Sequence, residues 1–405
     1  MRVLLSAYAC EPNRGSEPEV GWQRSLHMLT LADEVWVLTR SNNQPVIEAD
    51  PLSKSAGLHF IYYDLPRCVV RLKRQSWFLP FYFILWQWGA YRLAVRYHRD
   101  KPFDRVYHVT FASMRFGSFM GWLGIPFVIG PIAGGERAPL RLRCSIPMRG
   151  KATELLRDLG ILLQRCSPLS RSAFAAAERI YVATPASLRL VPRKWRFKTT
   201  VHLAVATDSC ATRDEQQLAT VPRFLFVGRL VHWKGAHFAI RALAETRKAI
   251  PAATLTLIGT GPDELWLRNV AKRVGMADAV EFVGYLPRQQ LIGLLRGYKA
   301  LVFPSLHDSG GIVVLEALSE GLPVVCLDLG GPGTVVNESC GIVVPTENAD
   351  ETQTIGRISN AMISLGTMPD VVWRRLSAGA TAKANELSWD SLTGHVAMGV
   401  NRDFS

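Results

Sequence analysis

The sequence predicts an α/β protein of two Rossmann-like domains, each a parallel sheet covered by helices on both faces. Two observations carry that expectation. Short β-rich runs alternate with amphipathic helical stretches along most of the chain. The length, 405 residues at 48% hydrophobic content, is enough for two substantial cores.

The alternation is clearest in the second half. Strands are expected at Phe224–Val227, Thr254–Ile258, Val280–Val283, Ala300–Phe303, Val324–Leu327 and Ile342–Val344. Between them, Ala239, Ile240, Leu243 and Ile250 line one helical face, and Leu265, Val270 and Val274 line another. Leu291, Leu294 and Leu295 follow Pro287, a residue suited to a first helical turn. The first half repeats the pattern more loosely, with strands expected at Val3–Ser6, Glu34–Thr39, His59–Tyr63, Arg105–Val109, Phe127–Ile129 and Ile180–Ala183. The first domain is therefore placed at 1–204 and the second at 205–385. The tail from Glu386 reads as a capped helix, with Ser388 or Asp390 holding its first turn.

The start of the chain has the look of a short export signal, but acidic, Pro-rich sequence follows directly, and a buried first strand is the better reading. The seven cysteines, Cys10, Cys68, Cys144, Cys166, Cys210, Cys326 and Cys340, contain no C-x-x-C and no zinc-like spacing. Such a scattered, odd set points to reduced thiols in a cytosolic protein.

The net charge of +13 is uneven. Residues 1–200 hold 29 Lys and Arg against 14 Asp and Glu, and the remainder holds 18 against 20. All the excess positive charge lies in the first half, which implies an anionic partner there. Nucleic acid is disfavoured, because no DNA- or RNA-binding motif organises the cations. Instead Arg67, Arg71, Lys73 and Arg74, then Arg92, Arg96 and Arg99, flank an aromatic run from Trp77 to Trp88. That run is too short to span a bilayer and contains Pro80, so it is expected to lie in the interface of an anionic membrane. The competing reading is an ordinary amphipathic helix with a buried aromatic face.

Two loops carry the chemistry. Pro304 to Ala317 reads as a strand end, a polar loop with Gly310 and Gly311, and the first turns of a helix opening at Ile312. Glycines at a helix start let a ligand approach free N–H groups, and the helix dipole favours anions there. Asp308 and Glu316 flank that anion site and are suited to sugar hydroxyls. Upstream, an apolar strand runs into Gly228, and Arg229 and Lys234 follow in the next loop. Such cations neutralise a diphosphate as its bond to a sugar breaks. Both loops sit at carboxyl ends of strands, where open α/β sheets place ligands. Together they point to a nucleotide-sugar site.

At these motifs the chain resembles the retaining glycosyltransferase family four, of GT-B architecture and bacterial surface-glycan type. Gly228-Arg229-Leu230 through Lys234-Gly235 matches that family's G-R-L-x-x-x-K-G loop in full. The family's pair of acids seven residues apart falls on Asp308 and Glu316, with Asp308 where Glu is usual. Ala317, Gly321, Leu322, Pro323 and Val324 also fit the family's run. The resemblance implies two lobes closing over the donor, and a last helix, here 386–405, crossing back onto the first domain. It implies that Glu316 binds the ribose, that Asp308 orients the transferred sugar, and that no metal or cofactor is needed. The nucleotide-sugar itself is the substrate, and no D-x-D motif is present.

In the first half, the loop Cys10 to Gly21 is neither a dinucleotide fingerprint nor a P-loop; Gly15 would let it approach the donor. His108 ends a strand and resembles the family's active-site His, placed near the reacting carbon. Arg115, Gly134, Gly135 and Glu136 are expected on the acceptor side, with Glu136 on acceptor hydroxyls. The expected activity is retaining transfer of a sugar to a lipid-linked or glycan acceptor in surface-polysaccharide assembly, at the inner face of the cytoplasmic membrane. The alternatives are a nucleotide-sugar epimerase of the same fold and an inactive sugar-nucleotide-binding protein.

Overall fold

The computed structural model describes residues 1–14, 16–72, 78–164, 167–203, 205–207, 221–389 and 391. The chain divides into two compact units. The first contains residues 1–135 and 160–205, and the second contains 136–159 and 206–391. After residue 160 the units divide between Val205 and Ala206. The segment 136–159 is the departure: expected in the first domain, it groups with the second unit.

In the first unit seven parallel strands run in the order β3-β2-β1-β4-β5-β6-β7. They are β1 (Arg2–Ala7), β2 (Glu34–Arg40), β3 (Leu58–Tyr63), β4 (Arg105–Thr110), β5 (Phe127–Ile132), β6 (Arg179–Val182) and β7 (Thr199–Val201). The start of the chain is β1, buried along its whole length, as the strand reading requires. Burial of both faces explains why these strands read as continuous apolar runs. The edge strand β7 escaped the sequence reading because its three residues form no apolar run.

The aromatic run settles into the helix Leu79–Asp100 and divides between two faces. Tyr82, Phe83 and Trp86 are core residues packed around Tyr8, whereas Phe81, Leu85 and Trp88 are exposed. Half of the expected interfacial element is therefore an ordinary buried aromatic face. Lys73, Arg74 and Trp77 lie outside the described residues. No helix among the described residues is long and apolar enough to cross a membrane.

In the second unit six parallel strands run in the order β10-β9-β8-β11-β12-β13. They are β8 (Arg223–Val227), β9 (Thr254–Ile258), β10 (Val280–Gly284), β11 (Ala300–Phe303), β12 (Val324–Leu327) and β13 (Gly341–Val344). All six match the expected runs to within a residue. The helix Ala236–Ala249 packs with Glu351–Gly366 on the sheet, and the buried helix Ile312–Ser319 packs against Asp370–Glu386. Leu265 departs from its expected apolar face: it is exposed, and Leu267, Val270 and Ala271 turn inward instead.

Trp389 is buried in the second unit, where its N–H donates to the Thr207 carbonyl at 3.1 Å, and Ser388 bridges to Thr207. The Ser388 hydroxyl accepts from the Ser391 N–H at 3.4 Å, in keeping with a capping role. Asp390 and residues 392–405 lie outside the described residues.

In each sheet the order reverses between two central strands: β1 and β4 in the first unit, β8 and β11 in the second. Loops leaving the carboxyl ends of such a pair diverge to opposite faces and open a crevice between them. In the second unit those two loops are the ones the motifs occupy.

Candidate functional site

The loop after β8 is held by backbone bonds from both sides. The Gly228 N–H donates to Ile258 at 2.9 Å, and the Leu230 N–H donates to Thr260 at 3.0 Å. A 3-10 turn, His232–Lys234, leads to Gly235, which caps the helix Ala236–Ala249 in the left-handed region at φ 78°. A Cβ on Gly235 would lie 1.9 Å from the Pro304 carbonyl oxygen, so glycine here lets the β8 loop press against the β11 loop. The contact is completed by the Leu306 N–H and the Ser305 hydroxyl, which both donate to the Trp233 carbonyl, at 2.8 and 3.2 Å.

On the second loop, Asp308 does more than face a ligand. Its Oδ1 accepts the N–H groups of Gly310 at 3.3 Å and Gly311 at 3.1 Å, and its Oδ2 pairs with the Lys234 ammonium. Two of the amides expected to meet a phosphate, those of Gly310 and Gly311, are thus taken by the loop's own carboxylate, whereas that of Ile312 makes no bond to it. Aspartate has the reach for this: a short acid bonds N–H groups two and three residues on, as N-cap residues do. Gly311, at φ 62°, then opens the helix Ile312–Ser319, whose first turn has no further side-chain cap. Burial would raise the Asp308 carboxyl, but the Lys234 ammonium and the two amides outweigh it and hold the group below the ordinary aspartate value. The Gly331 N–H pins the Asp308 carbonyl at 2.7 Å.

Glu316 is buried, and its Oε1 accepts from Arg288 Nε at 2.6 Å. Arg288 sits on the helix Arg288–Leu295, and nothing in its local sequence marks it. Arg229 is exposed, and its side chain has no hydrogen bond or ion pair among the described residues.

A second feature was invisible in the sequence. Glu154, on the helix Met148–Gln164, is 1% exposed. Its Oε1 lies 3.1 Å from His232 Nε2 and 2.9 Å from His307 Nε2. A carboxylate only accepts, so both imidazoles carry their proton on Nε2. Burial would raise this carboxyl, but the two imidazole bonds hold it far below the usual glutamate range. One buried acid thereby ties together the loop of Lys234 and the loop of Asp308. Asp263 supports the first of them by accepting the His232 N–H at 2.7 Å, and the Trp233 ring stacks on His307.

The first unit's candidates fare differently. His108 is fully buried on β4; its Nδ1 lies 3.0 Å from the Ser6 hydroxyl, and its Nε2 is buried with no partner among the described residues. Burial pushes the imidazole down to about 4. His108 thus sits two residues before the end of β4 with its ring fully buried, not at the strand end. The Gly135 N–H donates to Ser187 at 3.1 Å, and a Cβ there would strike Ser187 Cα, so its close approach is to the protein's own backbone and not to an acceptor. Gly134 is open on its Cβ side, with only Gln164 near, and Arg115 is exposed. Glu136, in the second unit, is 4% exposed, which corrects its expected place on acceptor hydroxyls. Gly15 lies outside the described residues.

Residues 211–355 match the family Glycosyl transferases group 1. The chain is 32% identical over 169 residues to a glycogen synthase of Mycobacterium tuberculosis, covering 42% of this chain and 39% of that protein. It is 30% identical over 239 residues to a D-inositol 3-phosphate glycosyltransferase of Acidothermus cellulolyticus, covering 55% of this chain and 50% of that protein. The matches thus span about two fifths to half of these relatives' length. Among solved structures, a sucrose-phosphate synthase from Thermosynechococcus elongatus superposes with TM-score 0.64 at 18% identity, covering 100% of this chain and 99% of that one. Anabaena HepE in complex with UDP gives 0.63 at 15%, covering 99% and 100%. The lipopolysaccharide outer core galactosyltransferase WaaB gives 0.61 at 11%, covering both chains fully. These likenesses show the GT-B fold of two Rossmann-like domains.

Proposed function

We propose that this chain is a retaining glycosyltransferase that moves a sugar from a nucleotide-sugar to a lipid-linked or glycan acceptor in surface-polysaccharide assembly. The observation that carries the reading is the meeting of Lys234 with Asp308 and the glycine turn, on loops leaving the two central strands of the second sheet. The relatives' names, a glycogen synthase and an inositol phosphate glycosyltransferase, favour transfer over other uses of the fold. Solved neighbours holding UDP and UDP-glucose support a nucleotide-sugar donor.

Each residue then has a task. In the ground state Asp308 holds the Lys234 ammonium in place. As the bond between sugar and diphosphate breaks, negative charge grows on the leaving phosphate, and Lys234 trades its carboxylate for that oxygen. Arg229, exposed and unpaired among the described residues, supplies the second positive charge. Asp308 stays ionised on its two amides, and its released oxygen accepts a hydroxyl of the transferred sugar. Glu316, its rotamer held by Arg288, receives the ribose hydroxyls. The acceptor hydroxyl attacks from the face the diphosphate leaves, through a short-lived oxocarbenium-like species, which retains configuration, and passes its proton to the departing phosphate oxygen. Metal independence and work at the inner face of the cytoplasmic membrane belong to the same proposal.

The test is incubation with radiolabelled nucleotide sugars, with and without membrane lipid extract. Label moving into the lipid or glycan fraction supports transfer, and the anomeric configuration of that product reports retention. Label remaining in an altered sugar nucleotide identifies an epimerase. Donor binding without turnover identifies an inactive binding protein.

A further inference from the structure

The helix Met148–Gln164 turns Glu154 inward and leaves its other side bare. Met148, Leu155, Leu156, Leu159, Leu162 and Leu163 are each more than half exposed. At about 100° per residue these positions, with exposed Ala152 among them, fall within an arc of roughly 120°. Soluble helices bury such an arc. Here the opposite side is buried, through Gly150, Glu154, Ile161 and Gln164, so the helix is already docked by its polar and small residues.

The charges around the arc have one sign. By the same helical geometry Lys151 borders one edge and exposed Arg149 the other. The exposed Arg115 adds a further cation, its guanidinium packing against Gly160 of the same helix. Neither helix acid opposes them: Glu154 is bound to two imidazoles, and Asp158 is paired with Arg143 at 2.7 Å and Arg137 at 3.7 Å.

We infer that this face is a membrane-docking element that lies in the headgroup region of an anionic phospholipid bilayer, leucines toward the acyl chains and cations on the phosphates. The inference deepens the reading above, since a lipid-linked acceptor is met at such a surface. A second copy of the chain is the competing occupant, because Met148, Ala152, Leu155, Leu159 and Leu162 also follow the four-three spacing of a coiled-coil seam. Charge decides between them. Zipper edges carry opposite signs that pair across the seam, whereas both edges here are cationic, and two copies would set like charges together. Leu156 and Leu163 also widen the arc beyond a two-position seam, as interfacial helices do. The exposed Phe81, Leu85 and Trp88 are a separate patch on another helix and are not needed for this inference.

The full chain is sedimented with vesicles of phosphatidylcholine alone and of phosphatidylcholine with phosphatidylglycerol, at low and high salt. Wild type should bind the anionic vesicles at least ~10-fold more tightly, with the preference fading as salt screens it. Leu155→Gln/Leu159→Gln should weaken binding to both vesicle types at least ~10-fold. Arg149→Gln/Lys151→Gln should remove the anionic preference and the salt dependence. All these positions are exposed, so circular dichroism and nucleotide-sugar binding should match wild type. Unchanged vesicle binding in the leucine variant overturns the inference. So does a wild-type dimer in lipid-free light scattering that the leucine variant dissolves. Transfer to a water-soluble acceptor is read in parallel, so loss of membrane binding and loss of the glycosyltransferase reading remain distinct results.

Discussion

Replacing Lys234 by alanine removes two things at once, and the structure separates them. The first, on the proposed reading, is positive charge at the leaving diphosphate. Loss of one preorganised group of that kind costs about 100- to 1,000-fold in kcat, or about 3–4 kcal/mol of transition-state stabilisation. The second is the partner of Asp308. Breaking a fully buried ion pair costs about 3–5 kcal/mol. Here the side chains are 23% and 14% exposed, and Asp308 keeps its two amide bonds. Both facts lower the expected loss of stability to about 1–3 kcal/mol. Adding Asp308→Asn removes the stranded charge and leaves an oxygen for the amides. The double variant Lys234→Ala/Asp308→Asn should therefore regain most of the stability lost in Lys234→Ala while kcat stays low. The assays are urea unfolding and initial rates of sugar transfer. If the double variant recovers kcat to within about tenfold of wild type, Lys234 only neutralises Asp308, and its place in the chemistry is wrong.

The same pair sets an acid limit. The Asp308 carboxyl is depressed in the folded state, so its stabilisation is complete above the unfolded value near ~3.9 and drains away as pH falls through the folded value. The stability gap between wild type and Lys234→Ala should thus narrow below about pH 4 in a urea-midpoint series; a constant gap contradicts the pairing. Gly235→Ala forces a side chain into the left-handed region, costing about 1–3 kcal/mol before its collision with the Pro304 carbonyl, and should lower both the unfolding midpoint and turnover. Glu154→Ala strands two buried imidazole donors at about 1–3 kcal/mol each, while Glu154→Gln keeps an acceptor and should lose markedly less in thermal unfolding. Equal losses in the two variants would show that the bridge is not held by hydrogen bonds.

The second sheet was legible because parallel strands buried on both faces are read directly as apolar runs, and the phosphate-type loops follow them in sequence. Periodicity was less reliable at helix ends: Leu265 falls in a first turn that has not yet reached the core, and it points outward. The aromatic run illustrates a different limit. Composition located the aromatic run from Trp77 to Trp88, but only packing around Tyr8 could assign Tyr82, Phe83 and Trp86 to the interior and Phe81, Leu85 and Trp88 to the surface. The more exposed apolar face lies elsewhere, on Met148–Gln164, a stretch the sequence reading left unassigned.

Local order along the chain was enough to determine the alternation of strands and helices, the two loops at the carboxyl ends of β8 and β11, and the cations and acids they carry. Such features depend on neighbours a few residues apart. Partnership did not follow from local order. Lys234 finds Asp308 across 74 residues, and Glu316 finds Arg288 across 28. Glu154 reaches His232 and His307 across 78 and 153. Hydrogen bonds and ion pairs are decided by distances of a few ångströms in space, and only the folded arrangement of the sheet and its loops sets those.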